Sequence, residues 1–178
     1  MVATNSYKSK LQIHITKDGA RDMDIRNKTI GVFDSGIGGL TVAKEIMELL
    51  PGESIVYFGD TARVPYGSKS SATVSRFALE GLDFLLSQNV KMIVIACNTV
   101  SATCLELLRA SSPVPVIGVI NPGARTAAAA TKNKSVGVIG TERTIKSRAY
   151  EKAIHALDQE INIYSKAALI LALKTVQG

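Results

Sequence analysis

The chain has no tryptophan, two histidines and two cysteines among its 178 residues. Two cysteines, Cys97 and Cys104, are too few for a disulfide scaffold, and their separation matches no zinc-ligand spacing. The only imidazoles are His14 and His155, so no metal site is expected. No apolar run reaches the ~18 residues that cross a bilayer, so no membrane partner is expected either. The opening stretch, MVATNSYKSKLQIHITKDGARDM, lacks the apolar core and cleavage pattern of a signal peptide. A cytoplasmic, reducing location is the expectation. Lys and Arg do not form blocks interleaved with aromatics. The net charge of +6 is spread thinly, and residues 1–28 carry six basic against three acidic residues. The excess reads as ordinary surface charge, which argues against a nucleic-acid partner.

What is present is apolar material in a regular order. Hydrophobic residues make up 46% of the chain and charged ones 20%, enough for a sizeable core and too apolar for disorder. From Thr29 onward, short runs rich in Val and Ile read as buried parallel strands: Thr29–Phe33, Ser54–Phe58, Lys91–Ala96, Val114–Ile120, Ser135–Ile139 and Glu160–Tyr164. Helical stripes lie between them. One is Leu40, Ala43, Ile46, Met47 and Leu50, stopped by Pro51-Gly52; a second is Val74, Phe77, Ala78, Leu82 and Leu85. A third, less regular, is Ile145, Ala149, Ile154 and Leu157. This alternation predicts an α/β fold with a doubly wound, mostly parallel sheet. Residues 1–28 show only a brief alternation at Leu11, Ile13 and Ile15, and Met23 is an alternative start. They are expected to lie at the periphery.

Three motifs follow three successive strands. In VIACNTV (94–100), an apolar run delivers Cys97 to the carboxyl edge of a strand, and Asn98 and Thr99 open a helix. Open α/β sheets bind ligands at that edge, and a helix start favours thiolates. Cys97 is therefore read as a base or nucleophile, against the plain alternative of a small buried hydrophobe. Cys104, two helical turns on, reads as core packing. A Cys–His hydrolase would need a paired histidine, and His155 lies on a helix rather than at a strand tip. In VFDSGIGGL (32–40), Asp34 and Ser35 stand at a strand tip, and Gly36, Gly38 and Gly39 allow a tight turn. A dinucleotide fingerprint fits Gly36 and Gly38, with Asp60 as a ribose partner, but Thr41 replaces the third glycine and Asp34 would repel a pyrophosphate. The glycines could also serve the turn alone. The favoured reading is a small-molecule site. The loop GDTARVPYGSKS (59–70) puts Tyr66 and Gly67 on the same edge.

Together FDSGIGG, VPYG and ACNT, with VIGVINPG (116–123) and VGVIGTERTIKS (136–147), resemble glutamate racemase, of the cofactor-independent aspartate/glutamate racemase family, over about residues 29–167. The resemblance implies two α/β domains related by a pseudo-two-fold axis and facing a cleft. Each contributes one cysteine, and the two thiols flank the substrate α-carbon. One removes the α-proton and the other returns a proton from the far side. No pyridoxal phosphate or metal takes part, and the D-glutamate made enters peptidoglycan. Carried over by motif, Cys97 matches the first catalytic cysteine. Asp34 and Ser35 match a pair that holds the substrate amino group, Tyr66 and Gly67 a second binding pair, Asn98 and Thr99 a third, and Thr144 a contact from the second domain. A homodimer is implied for the full-length protein.

The family's second cysteine lies in a Cys-Thr-His-Tyr-type run that this sequence does not contain. The expected organisation is an N-terminal extension outside the family (1–28), a first domain (29–120), part of a second (121–167) and a divergent tail (168–178), with a reading-frame slip near Ala167 as one explanation of the tail. Two alternatives stay open: a racemase of another acidic amino acid, and an inactive fragment that binds an amino acid or a partner.

Overall fold

The computed structural model describes the backbone of residues 11–15 and the whole of residues 28–168. The divergent tail from Leu169 onward and the candidate start at Met23 lie outside the described residues. The main sheet has five strands in the order β1-β3-β2-β4-β5: β1 (Leu11–Ile15), β2 (Thr29–Asp34), β3 (Ile55–Gly59), β4 (Val90–Ile95) and β5 (Val116–Gly118). β2, β3, β4 and β5 run parallel, whereas β1 joins the outer edge of β3 antiparallel, Leu11 opposite Gly59 and Ile15 opposite Ile55. Residues 11–15 of the leader thus form an edge strand of the sheet. The short period-two pattern at 11–15 was the signal, matched to an edge of β3 that no other strand covers among the described residues.

Strand parity sorts the core into two layers. Ile30 and Val32, Ile55 and Tyr57, and Val94 and Ala96 point to one face, where α1 (Leu40–Leu49) lies over them through Ala43, Ile46 and Met47. Phe33, Val56, Phe58, Ile93 and Ile95 point to the other, under α2 (Ser71–Ser87), α3 (Asn98–Thr103) and α4 (Leu105–Ser111). With helices on both faces, both sides of the parallel strands are apolar. The order reverses around β2: β3 lies on one side of it and β4 on the other. The ends of β2 and β4 therefore flank a topological switch point, where such sheets bind ligands.

Two helices expected to be continuous are broken. Cys104, at φ −141° and ψ 21°, separates α3 from α4. Arg148, at φ 55°, separates α6 (Glu142–Ser147) from α7 (Ala149–His155), which accounts for the irregular third stripe. The strand read at 114–120 is only Val116–Gly118, because α5 (Ile120–Ala130) begins at once. Pro122 falls in the first turn of α5, where a missing N–H costs nothing. β6 (Ser135–Gly140) and β7 (Asn162–Ala167) form a separate parallel pair, from Ser135 opposite Asn162 to Gly140 opposite Ala167. Val138, Ala124, Ile154 and Ile161 form its small core with α5 and α7. Ile139 and Tyr164 stay 66% and 68% exposed.

Candidate active site

Asp34 ends β2 on the α1 face, and the glycine turn wraps its carboxylate. Oδ2 accepts hydrogen bonds from Gly36 N at 3.2 Å and Gly39 N at 2.9 Å. A Cβ on Gly39 would come within 2.7 Å of Asp34 Cβ and 2.9 Å of Ala96 Cβ, so only glycine lets the turn approach this closely. The N–H groups that a pyrophosphate would need point to an internal carboxylate instead, which argues against the dinucleotide reading. Tyr57, fully buried on β3, lays its hydroxyl 3.3 Å from the same Oδ2 and 2.9 Å from the Gly36 carbonyl.

Cys97 follows β4 across the switch point and caps α3 at φ −68° and ψ 115°. Its Sγ lies 3.2 Å from Ser35 Oγ, although the two residues are 62 positions apart in sequence. The side chain is 5% exposed. Burial pushes the thiol pKa up, and the Asp34 carboxylate pushes it further; the Ser35 hydroxyl and the N–H groups of Val100 and Ser35 pull it back. The neutral thiol donates to Ser35. Once ionised, the sulfur accepts from the same hydroxyl and from those two amides. The structure thus holds a thiol that is protonated at rest and has a prepared set of donors for its anion.

The loop after β3 meets at this edge the second unit of the chain, which is the β6–β7 pair with α5, α6 and α7. Tyr66 is 2% exposed, and its phenol donates to Asp60 Oδ2 at 2.5 Å. Arg63 Nε donates to the same oxygen at 2.5 Å, and its guanidinium lies 4.0 Å from the centre of the Phe77 ring. The Tyr66 hydroxyl, expected to meet a ligand, is therefore engaged inside the loop and acts as its anchor. Gly67 sits against the second unit: a Cβ there would come within 2.4 Å of Thr141 Cβ. Its carbonyl accepts from Arg143 N at 3.3 Å, while the Arg143 guanidinium donates to the Lys69 carbonyl at 2.7 Å and 3.1 Å and to Ser71 Oγ at 3.1 Å. Thr141 caps α6 and links Thr99 and Thr144, its Oγ1 lying 3.0 Å from each of theirs. Tyr150 donates to Asn98 Oδ1 at 2.7 Å.

The structure thus gathers Asp34, Ser35, Cys97, Asn98, Thr99, Gly67 and Thr144 around one junction, with Tyr66 buried behind it. A cavity of about 450 Å³ adjoins this junction, lined by Asn98, Thr141, Thr144, Tyr150 and the length of β6. A larger one, about 530 Å³, lies between α3–α4 and α7. It holds Cys104 but none of the predicted site residues. Cys104 is buried, and burial pushes its thiol up to about 11. His155 contacts the Ile161 carbonyl at 3.1 Å. Four residues at the junction escaped the sequence reading. Tyr57 looks like any alternating core residue of a strand, and Arg143 and Tyr150 look like helix surface. Thr141 alone left a signal, the Thr-x-x-Thr of a helix N-cap. Among the described residues, no three His, Cys, Asp or Glu side chains are gathered as a metal ion would require, and no helix is long and apolar enough to cross a membrane.

At the switch-point edge of a doubly wound sheet, a thiol stands bonded to a hydroxyl and beside a carboxylate, and among the described residues no histidine side chain pairs with it. Residues 30–175 match the family described as Asp/Glu/Hydantoin racemase, and the chain belongs to that family. It is 56% identical over 151 residues to the glutamate racemase of Geobacter metallireducens, covering 85% of this chain and 56% of that protein. Glutamate racemase from Francisella tularensis, solved in complex with D-glutamate, superposes with a TM-score of 0.79 at 45% identity, covering 85% of this chain and 57% of that one. A Bacillus anthracis glutamate racemase isoform gives the same TM-score at 50% identity, covering 82% and 55%. The chain spans about half the length of the relatives it matches.

Proposed function

We propose that this chain carries one half of a glutamate racemase site, with Cys97 as the base on one face of the substrate α-carbon. The observation that carries the reading is the Cys97–Ser35 contact at 3.2 Å beside Asp34, together with the named relatives. The substrate ammonium pairs with Asp34. That neutralises the carboxylate charge that adds to burial in holding the thiol protonated, so binding favours ionisation. The backbone at Gly67 and the polar groups of Asn98, Thr99 and Thr144 hold the two carboxylates and keep water out. The thiolate then takes the α-proton, and the nearby donors stabilise the charge that develops. No cofactor is needed. Inversion requires a second acid on the opposite face. Cys104 cannot supply it, because it is buried in the main core with its sulfur 3.6 Å from the Val100 carbonyl.

The domain limits at 29–120 and 121–167, a cytoplasmic site of action, a homodimer for the full-length protein and delivery of D-glutamate to peptidoglycan belong to the same reading. Proton NMR of L- and D-glutamate in D2O tests it. The 178-residue chain should exchange the α-proton of one enantiomer without inverting it, and Cys97→Ala should abolish the exchange. Folded protein that exchanges no faster than Cys97→Ala would sink the base assignment. Full racemisation by this chain would sink the half-site reading. Aspartate in a parallel tube tests the choice of acidic substrate.

A further inference from the structure

Tyr57 has no place in the mechanism above, yet its hydroxyl is the only side-chain donor described on Asp34. It reaches Oδ2 from the neighbouring strand, at 3.3 Å, while lying 2.9 Å from the Gly36 carbonyl. The register explains how. Tyr57 pairs with Val32, two positions before Asp34, on the face they share. A side chain as long as tyrosine runs up that face under the glycine turn and ends at the carboxylate. Phenylalanine would fill the same space, so packing alone does not call for the hydroxyl. A fully buried phenol carries a desolvation cost that only its two acceptors offset.

We propose that Tyr57 is a positioning residue for the Cys97 base: its phenol fixes the Asp34 carboxylate and takes up part of its charge, so that the thiol ionises beside a muted anion. The single phenolic proton has two acceptors. An ionised Asp34 draws it from the Gly36 carbonyl, and a carboxylate paired with a cation releases it. The phenol itself stays protonated, because burial and Asp34 both raise its pKa. The inference rests on Cys97 acting as a base, and it adds a residue that touches neither the thiol nor a ligand. The other titratable groups that feel the Cys97 charge are Tyr66 from the loop after β3, backed by Asp60 and Arg63, and Cys104 at the α3–α4 break. None of them contacts Asp34 in the described hydrogen bonds.

The test is the pH profile of Cys97 alkylation by iodoacetamide, with the Cys97 and Cys104 peptides separated by mass spectrometry. Only thiolate reacts. Tyr57→Phe should move the Cys97 profile up by roughly 0.5–1 pH unit, since the carboxylate loses a donor. In an Asp34→Asn background the same substitution should leave the profile where it is. A Tyr57→Phe profile that superposes on the parent, or an equal shift in the Asp34→Asn background, overturns the proposal; the latter would mark a structural effect only. Should Tyr57→Phe not fold, 3-fluorotyrosine placed at position 57 keeps the shape and strengthens the donor. It should move the profile down, and no shift or an upward one refutes the role. Alkylation reads ionisation and not turnover. A chain that exchanges no glutamate proton therefore still tests Tyr57, and failure here leaves the base assignment standing.

Discussion

Replacing Gly67 by alanine should separate the two units of this chain. The new Cβ would stand 2.4 Å from Thr141 Cβ, 2.7 Å from its Cγ2 and 2.9 Å from its Oγ1. Rotation about χ1 moves the last two atoms but not the first, so the backbone has to shift by about 1 Å to restore van der Waals contact. Overpacking of this kind costs about 1–3 kcal/mol. The shift also strains the bonds from Thr141 Oγ1 to Thr99 and Thr144, each 3.0 Å long, and each lost bond adds about 0.5–1.5 kcal/mol. With both bonds lost the sum is roughly 2–6 kcal/mol, a large share of the stability of a small domain. Gly52→Ala is the control: nothing lies within 4 Å of its Cβ position, and its φ is not positive. Urea melts followed by circular dichroism should show Gly67→Ala far below the parent and Gly52→Ala level with it or slightly above. Thr141→Gly combined with Gly67→Ala should recover part of the loss, because it removes the atom that cannot rotate away. If Gly67→Ala melts within about 0.5 kcal/mol of the parent, the contact between loop and α6 is not what joins the units.

Ser35→Ala removes a donor from the Cys97 thiolate, and a hydrogen bond of about 0.5–1.5 kcal/mol corresponds to roughly two- to tenfold slower alkylation at fixed pH; an unchanged rate would show that the 3.2 Å contact does not set ionisation. Stability should fall in alkali. Burial is the leading reason that Tyr57, Tyr66, Cys97 and Cys104 hold their protons to higher pH folded than unfolded, so their contribution is complete below the unfolded pKa values. It is lost at about 1.4 kcal/mol per pH unit per group as pH rises past ~8.5 for the thiols and ~10 for the phenols; a denaturation midpoint constant from pH 8 to 11 would contradict this. NAD and NADP should give no saturable calorimetric signal, because Gly36 N and Gly39 N already bond Asp34, and micromolar binding would reopen the dehydrogenase reading. A chain that starts at Met23 should melt at a lower temperature than the longer one, since it strips the Leu11–Ile15 strand from the edge of β3; equal melting would leave that strand without energetic weight.

Much of this molecule could be read along the chain. Period and punctuation depend on near neighbours, so the Val/Ile runs located the strands and the Pro51-Gly52 stop ended α1. The three strand-tip motifs put Asp34, Ser35 and Cys97 on one sheet edge because parallel strands all present the same end there. Local pattern failed where a single residue overrode it. Arg148, at φ 55°, breaks a helix whose apolar spacing runs on through it. The turn into α5 cuts β5 to three residues.

Pairing across the fold could not be read in the same way. That Tyr66 donates to Asp60, that Tyr57 ends on Asp34, and that Thr141 stands between Thr99 and Thr144 are contacts set by register and docking. A hydroxyl in a sequence says that a bond is needed when it is buried, but not which acceptor will meet it. The sequence by itself determined the α/β class, the family motifs and the position of the thiol at a strand end, since all three follow from residue type and spacing. The tertiary structure alone decided which groups surround that thiol, and therefore how readily it ionises, because desolvation and hydrogen bonding act through distances of a few ångströms between residues as far apart in the chain as Ser35 and Cys97.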